Sequence, residues 1–368
     1  MKVLLLADPN SSHTFKWVKS LSEKGIEIGL FGLVNELKMN YEGLSNVTVN
    51  AFQLTGNIQK KRVFQKLTYL KVIPALKAFY KSFQPDIIHA HYASSYGLLG
   101  RLLRKHPYLI STWGSDVMEF PLKGGLQKTL LKNNLKAADH ILASSSILQQ
   151  TTEKYTSKKV EIIPFGIDLN HFAPTSYQRR FSSNEFVLGC MKGMEDIYGI
   201  PKMIDVFYRL CQSTQRPLRL ILMGDGTQIN EYRKYCKSLG IQDKVVFTGY
   251  LDYDQVPSHY QELDLFLAFS QRESFGVSIL EASAMGVPVV ANQIEGYTDV
   301  MNIEKNGLFV HTSDLENTAS QILKLIESPD QLNNYKVNAR QWVAQNFDWN
   351  QNVNQMIKTY DTWFEKSK

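Results

Sequence analysis

Two glutamates, Glu273 and Glu281, lie eight positions apart on either side of a short turn-like segment. Apolar runs on both sides of the segment predict buried strands, so we predict a helix over residues 275–285. Eight helical residues rise about 12 Å. The acid/base carboxyls of a glycosidase lie roughly 5 to 9.5 Å apart, so the spacing does not suit such a pair. It suits contacts to the two ends of one long ligand.

The start of the predicted helix, Ser274-Phe275-Gly276-Val277, adds a second chemical feature between the two carboxylates. A helix N-terminus carries backbone N–H groups without intrahelical acceptors and the positive end of a dipole, and together these favour phosphate. The segment therefore suits a sugar at Glu273, a diphosphate at the helix start and a ribose at Glu281. The alternative, which the bare spacing would favour, is a pair of exposed glutamates on an amphipathic helix.

Predicted strands and helices alternate along the whole chain. Strands are predicted at residues 3–7, 26–31, 47–52, 87–91, 109–112, 141–144 and 160–164, and then at 186–191, 218–223, 245–248, 265–268, 288–292 and 308–310. Such alternation is typical of parallel, doubly wound sheets, and two series predict two Rossmann-like α/β domains. Ligands bind at the carboxyl ends of strands in these sheets, so we expect two domains that face each other across a ligand-binding cleft.

The regular pattern lapses between residues 164 and 184, where Pro, Ser and Gln accumulate. We therefore predict an N-terminal domain over residues 1–170 and a C-terminal domain over residues 171–348. A helix over residues 349–366 is expected to pack back on the first domain.

Composition indicates an ordinary globular protein, with 43% hydrophobic and 21% charged residues. No apolar run reaches the roughly 18 to 20 residues of a membrane span, and the N-terminus leads directly into a strand, so neither a span nor a signal peptide is predicted. The cysteines Cys190, Cys211 and Cys236 show no metal-binding spacing, and reduced thiols in a cytoplasmic protein are expected.

The net charge of +6 conceals an asymmetry between the two halves. Residues 1–170 contain 22 lysines and arginines against 12 acids, whereas residues 171–368 contain 19 against 23. The basic half is expected to face something anionic. Residues 60–73 form a predicted basic helix with an apolar stripe, which suits an anionic membrane surface but equally suits covering the core of its own domain.

Five motifs together resemble a known family over essentially the whole chain. They are 164–168 at the domain junction, Gly224-Asp225-Gly226 at a strand end, 246–250, 272–282 and 286–290. In this order and at these separations they resemble the family 4 glycosyltransferases, which have the GT-B fold. A dinucleotide-binding dehydrogenase is less consistent with the sequence, because Gly224-Asp225-Gly226 is not followed by the third glycine of that fingerprint.

The resemblance implies a role for each matching residue. Glu273 would bind hydroxyls of the transferred sugar, and Glu281 would bind the ribose. The donor site would also include Gly224, Ser274, Phe275, Gly276 and Val277, the last three through backbone amides, and main-chain groups near Tyr250 and Leu251 would bind the base. Lys192, after the first strand of the second domain, would neutralise the diphosphate, although a lysine there is also compatible with a solvated surface position.

The chain departs from the family pattern at three places. Ile197-Tyr198 stand where many relatives carry a second cation, and Trp113 stands where many carry a histidine. The first-domain loop lacks its usual glycine pair; there Ser11 and Ser12 are candidates to donate hydroxyls to the donor, with Ser12 alternatively capping the next helix.

Two further residues are candidates to act in the first domain. His91 is a candidate to line the cleft in place of the absent histidine, whereas His89 is expected to be structural. Asp116 is expected to contact the acceptor or act as a base, or else to cap the following turn. In the second domain, Asp252-Tyr253-Asp254 has the spacing of a metal-binding pair but is interpreted as a helix-capping loop.

The resemblance further implies retention of anomeric configuration without a metal or other cofactor. Catalysis would then rest on positioning and charge stabilisation. We expect transfer of a hexose from a nucleotide diphosphate sugar to a glycan or lipid-linked acceptor in cell-surface polysaccharide assembly, with a UDP sugar as the favoured donor and a GDP sugar as the alternative. The expected location is cytoplasmic, at the inner face of the membrane, with no nucleic-acid partner. The alternative is a non-catalytic relative that binds nucleotide sugar or glycan as a partner subunit.

Overall fold

The computed structural model describes residues 1–53 and 65–368, with side chains of the second range described from Val72 onward. The chain divides into two compact units. Unit 1 consists of Met1–Pro164 together with Gln351–Lys368, and unit 2 consists of Phe165–Asn350. Residues 60–64 of the predicted basic helix lie outside the described residues.

Unit 1, within its described residues, is built on a parallel sheet of seven strands. The strands are β1 (Lys2–Leu6), β2 (Glu27–Val34), β3 (Val47–Gln53), β4 (Ile87–His91), β5 (Tyr108–Thr112), β6 (His140–Ala143) and β7 (Val160–Ile162). The helices are α1 (Ser12–Glu23), α2 (Gln65–Phe83), α3 (Ser95–Leu103), α4 (Ser115–Met118), α5 (Gly125–Ala137) and α6 (Ser146–Glu153). The strand order β3-β2-β1-β4-β5-β6-β7 reverses direction between β1 and β4.

Unit 2 contains a second parallel sheet, of six strands, in the described part of the chain. The strands are β8 (Phe186–Met191), β9 (Leu218–Met223), β10 (Val245–Gly249), β11 (Leu265–Ala268), β12 (Val289–Asn292) and β13 (Gly307–Val310). The helices are α7 (Ile200–Ser213), α8 (Ile229–Ser238), α9 (Val256–Tyr260), α10 (Val277–Ala284), α11 (Leu315–Ile326) and α12 (Pro329–Asn346). The order β10-β9-β8-β11-β12-β13 reverses between β8 and β11.

The inner strands explain the apolar runs of the sequence. Every residue of β4, β5 and β11 is buried, as expected for parallel strands covered by helices on both faces. A strand stands at each of the predicted places, with ends that differ by a few residues.

The last helix, α13 (Trp349–Lys366), follows unit 2 in the sequence, yet residues from Gln351 onward belong to unit 1. Val353, Met356 and Tyr360 on this helix are buried. The Tyr360 hydroxyl is hydrogen-bonded to Nδ1 of His89 at 2.7 Å. The helix therefore completes the core of unit 1.

Two local predictions were wrong. The helix predicted from residue 275 begins at Val277, because Gly276 adopts a left-handed conformation (φ 90°) and the ring of Phe275 packs against Phe165 instead. At the start of α1 the cap is Ser11, whose hydroxyl accepts from the backbone N–H of Thr14, and not Ser12. Among the helices of the described residues, none is long and apolar enough to cross a membrane.

Candidate functional site

Lys192 and Glu273 form an ion pair at the point where the sheet of unit 2 reverses its strand order. Lys192 directly follows β8, and Glu273 lies in the loop after β11. The ammonium Nζ of Lys192 is 2.5 Å from Oε1 of Glu273, and the two side chains are only 14% and 17% exposed. In an open α/β sheet this reversal is where ligands bind. The pair thus stands where the sequence predicts a sugar–phosphate site.

The surroundings keep Lys192 charged. Burial by itself lowers the pKa of the Lys192 ammonium, but Tyr297 and the Glu273 carboxylate outweigh it, so that the net shift is upward. The ammonium also lies 5.4 Å from the centre of the Tyr198 ring. Ser270 donates a further hydrogen bond to Oε1 of Glu273 at 3.3 Å. A buried positive charge beside a helix start favours a negatively charged ligand.

The N-terminus of α10 begins a few residues after Glu273. Its cap residue is Gly276, which has no side chain of its own to cap these backbone amides. A Cβ atom on Gly276 would lie 2.7 Å from the ring of Tyr297, so both the backbone conformation and the space require glycine. Tyr297 is itself buried, which raises its pKa to about 12. Phe275, Gly276 and Val277 therefore form a rigid, glycine-dependent turn at the helix start.

Glu281 is oriented by a residue that the sequence did not indicate. The hydroxyl of Tyr260, which is fully buried at the end of α9, donates to Oε2 of Glu281 at 2.8 Å. Glu281 lies one turn into α10 and is half-buried. The carboxylate therefore has a fixed direction before any ligand binds.

Gly224 packs against the backbone that carries Lys192. Its φ is 127°, and a Cβ atom there would lie 2.2 Å from the Lys192 carbonyl oxygen. The backbone N–H of Lys192 also donates to the carbonyl of Met223 at 3.0 Å. The glycine after β9 thus permits close approach of two strand ends, beside the cation.

The segment after β10 contains the residues expected to meet the base. Tyr250 is 76% exposed, and Leu251 is half-buried. Asp252 and Gln255 form a reciprocal capping box at the turn that follows. The interpretation of Asp252-Tyr253-Asp254 as a capping loop is confirmed by this geometry.

The position of the absent second cation is occupied by a hydrophobic and an aromatic side chain. Ile197 is 40% exposed, and the Tyr198 ring lies beneath Lys192. Lys202, one turn into α7, donates to the hydroxyl of Thr312 at 3.3 Å. Lys192, by contrast, is ion-paired with Glu273.

The candidates of unit 1 form a separate cluster at the carboxyl ends of β4 and β5. His91 is buried, its Nδ1 has no partner among the described residues, and burial lowers its pKa to about 3. Its ring centre is 4.4 Å from that of Trp113 and 4.6 Å from that of His89. His89 is hydrogen-bonded on both ring nitrogens, to Tyr360 and to Ser111, as expected for a structural histidine.

The side chain of Asp116 accepts hydrogen bonds from backbone amides. Its Oδ2 accepts from the N–H of Ala93 at 2.7 Å, and its Oδ1 accepts from the N–H groups of Trp113 and Gly114 at 3.2 and 2.9 Å. Burial raises the pKa of Asp116, while these amides oppose the rise. With its oxygens committed to three amides, the side chain fits the capping alternative.

Spacing along the chain gave no sign of the residues that support the pair. Tyr297 and Ser270 are remote from Lys192 in sequence, and only the tertiary fold brings them to the pair, as it brings Tyr260 to Glu281. Among the described residues, no group of three or more His, Cys, Asp or Glu side chains is placed to hold a metal ion.

The chain matches two glycosyltransferase families, one in each half. Residues 2–145 match the family described as Glycosyl transferase 4-like, and residues 176–342 match Glycosyl transferases group 1. The chain is a group 1 glycosyltransferase. The predicted family and the prediction of two Rossmann-like domains are both confirmed.

Two curated proteins illustrate the breadth of this family. This glycosyltransferase is 27% identical over 274 residues to the alpha-monoglucosyldiacylglycerol synthase of Streptococcus pneumoniae, a match that covers 68% of this chain and 61% of the relative. It is 25% identical over 359 residues to the N-acetyl-alpha-D-glucosaminyl L-malate synthase of Bacillus anthracis, covering 93% of this chain and 91% of the relative.

Among solved structures, the fold is similar to that of HepE from Anabaena, crystallised with UDP and glucose. The TM-score is 0.78 at 19% identity, and the match covers 98% of this chain and 100% of that protein. At this identity the likeness concerns the fold.

Proposed function

We propose that this glycosyltransferase moves a hexose from a nucleotide diphosphate sugar, with UDP as the favoured nucleotide, to a glycan or lipid-linked acceptor. The observation that carries the proposal is the Lys192–Glu273 pair beside the N-terminus of α10. Glu273 would exchange its contact with Lys192 for hydroxyls of the sugar, and Lys192 would then be released to the diphosphate. Glu281, held by Tyr260, would accept from the ribose hydroxyls.

We further propose that transfer retains the anomeric configuration and needs no metal. The leaving phosphate oxygen would take the acceptor proton on the face from which it departs, so no protein base is required. Lys192 and the amides of Phe275, Gly276 and Val277 would supply the charge stabilisation that a metal supplies elsewhere. The committed oxygens of Asp116 favour a scheme without a carboxylate base.

The named relatives act on acceptors of different chemistry. One named relative makes a glycolipid and the other glycosylates malate, so acceptors in the family range from lipid to small acid. The basic first half of the chain favours a lipid-linked or otherwise anionic acceptor at the inner face of the membrane.

The decisive experiment combines a donor screen with analysis of the product. UDP, GDP and ADP sugars are compared by thermal shift, where a ligand at 100 times its Kd stabilises by about 2.7 kcal/mol. The best donor is then incubated with EDTA, and the anomer formed is assigned by NMR. We expect a UDP sugar to give the largest shift, activity to survive EDTA, and the product to be an α-glycoside from an α-linked donor.

Glu273→Gln is the matched variant for this experiment. It keeps the shape of the side chain but removes the charge that binds Lys192 and the sugar hydroxyls. We expect kcat to fall by roughly 100-fold or more, with the Kd for free UDP changed by less than about threefold. Unchanged turnover would refute the role of Glu273, and an inverted product would refute retention.

A non-catalytic partner subunit is the second candidate, and Tyr198 in place of a second cation favours it. Donor hydrolysis in the absence of acceptor separates the two. Release of UDP from the donor by the wild-type chain but not by Glu273→Gln supports catalysis, whereas donor binding without release supports the subunit.

A further inference from the structure

Helix α5 and the turn that precedes it expose leucines. Leu122 is 74% exposed and Leu126 is 58% exposed, and all residues from 122 to 126 are exposed. The two leucines flank Gly124 and Gly125, where no large side chain shields them. Two exposed leucines four positions apart offer apolar surface to a partner.

The solvent-facing side of the same helix is basic. Lys128, Lys132 and Lys136 are all exposed and recur every four residues, so they line one face of α5. Lys123 lies between the leucines, and no acidic residue occurs from 120 to 138. At the end of the helix, the ammonium of Lys158 donates to the carbonyl of Lys136 at 2.9 Å and so adds positive charge to this surface.

The opposite face fixes the helix to unit 1. Leu131 and Leu135 are fully buried in the core. The side-chain amide of Asn134, also buried, donates to the carbonyls of Ala93 and Ser94 at 2.8 and 3.0 Å. The leucines and lysines are therefore displayed by a preformed helix, and binding through them requires no folding step.

We propose that this α5 surface docks on an anionic lipid bilayer. Leu122 and Leu126 enter the boundary between headgroups and acyl chains, while the lysine row lies against lipid phosphates. Charge complementarity selects this partner: a nucleic acid would match the lysines but not the leucines, and an apolar protein face would match only the leucines. This docking deepens the membrane location given in the proposed function and in that respect rests on it, but vesicle binding requires neither donor nor acceptor, so the two can fail separately.

Sedimentation of the whole chain with vesicles tests the proposal. Vesicles of phosphatidylcholine alone are compared with vesicles in which one-third of the lipid is phosphatidylglycerol, at low and high NaCl. We expect binding to the anionic vesicles that weakens as salt rises. Lys128→Gln/Lys132→Gln/Lys136→Gln is expected to lower the partition coefficient roughly 100-fold, at about fivefold per lysine. Leu122→Ser/Leu126→Ser is expected to lower it about tenfold.

Matched variants in unit 2 control for charge and apolarity. Lys234→Gln/Lys237→Gln/Lys244→Gln removes three exposed lysines, and Ile303→Ser/Val337→Ser removes two exposed apolar side chains. Both are expected to bind vesicles as the wild type does, and urea midpoints verify that every variant is folded.

Three outcomes would overturn the proposal. They are no binding of the wild-type chain to anionic vesicles, equal losses in the unit 2 variants, and full binding by the leucine variant. Full binding by the leucine variant would show that the surface binds polyanions in general. Double-stranded DNA would then compete with the vesicles and displace them. We expect these substitutions to leave transfer to a water-soluble acceptor unchanged, which separates failure of docking from failure of the proposed function.

Discussion

Tyr260 lets the contribution of a fixed Glu281 be measured without altering the carboxylate itself. Because its hydroxyl already donates to Oε2, a bound ribose would meet a carboxylate that has lost little freedom. Tyr260→Phe removes one hydroxyl and leaves the ring in place. We expect the Kd for the nucleotide sugar to rise about 10- to 150-fold, the value of one hydrogen bond to a charged group, while kcat changes less than twofold.

The control for Tyr260→Phe is Tyr335→Phe. Tyr335 is also buried in unit 2, and its hydroxyl donates to the carbonyl of Ile303 at 3.1 Å. It is expected to leave donor affinity unchanged. With a donor that contains 2′-deoxyribose, the Kd values of the wild type and Tyr260→Phe should differ less than with the normal donor. If Tyr260→Phe weakens the binding of both donors by the same factor, Tyr260 acts only on stability.

Among the individual residues of the site, the sequence predicted only those whose roles follow from local spacing. Lys192 and Glu273 stand out because each lies beside a predicted strand end or helix start, and Glu281 stands out because of its spacing from Glu273. Their supports could not be found in this way, because Tyr260 and Tyr297 reach the site through tertiary packing. Asp116 also lies next to a strand end, but its carboxylate accepts hydrogen bonds from three backbone amides, so its position in the sequence did not predict its role.

Among the elements, α13 has an effect on unit 1 that its sequence pattern does not show. Its Tyr360 is wholly buried and hydrogen-bonded to His89 in the central strand β4. Tyr360→Phe would leave one ring nitrogen of a buried histidine without a partner. We expect the free energy of unfolding to fall by about 1–3 kcal/mol in urea titrations. Thr362→Ala, at an exposed position of the same helix, is the control and should change it by less than about 0.5 kcal/mol.

Strands were easier to predict than helix boundaries, for a physical reason. A strand buried on both faces must be a continuous apolar run, which is visible in one sequence. The start of α10 depends instead on the left-handed conformation of Gly276 and on the packing of Phe275 against Phe165, which are tertiary effects. The start of α1 was misjudged because two adjacent serines are equally good caps.

The stability of the whole molecule should depend on pH through three histidines of unit 1 whose pKa values are lowered. Burial, together with Lys16, lowers the pKa of His13 to about 4; burial alone lowers that of His91 to about 3; and burial, His91 and His140 lower that of His89. These groups stay neutral in the folded state while the unfolded chain takes up protons below its pKa of about 6.5. Their stabilising effect is complete above that pH and is lost as pH falls toward the folded values.

We therefore expect the urea midpoint to fall between pH 6.5 and 5, with a loss of about 2 kcal/mol for each such histidine. His91→Phe removes one of these groups and should make stability less dependent on pH. His311→Gln, at an exposed position in unit 2, is the matched control and should leave the dependence unchanged. If His91→Phe and the wild type lose stability in parallel, His91 is not one of the groups responsible.

The membership of residues 351–368 in unit 1 also bears on the order of folding during synthesis. Unit 2 consists of one continuous segment, whereas unit 1 is interrupted by it. On the ribosome, all residues of unit 2 are therefore available before Tyr360 has been made. Until then, Nδ1 of His89 in β4 lacks its hydrogen-bond partner, and the apolar surface that α13 covers is exposed. The nascent chain thus exposes its first half longest, and that half is where chaperones would be expected to bind.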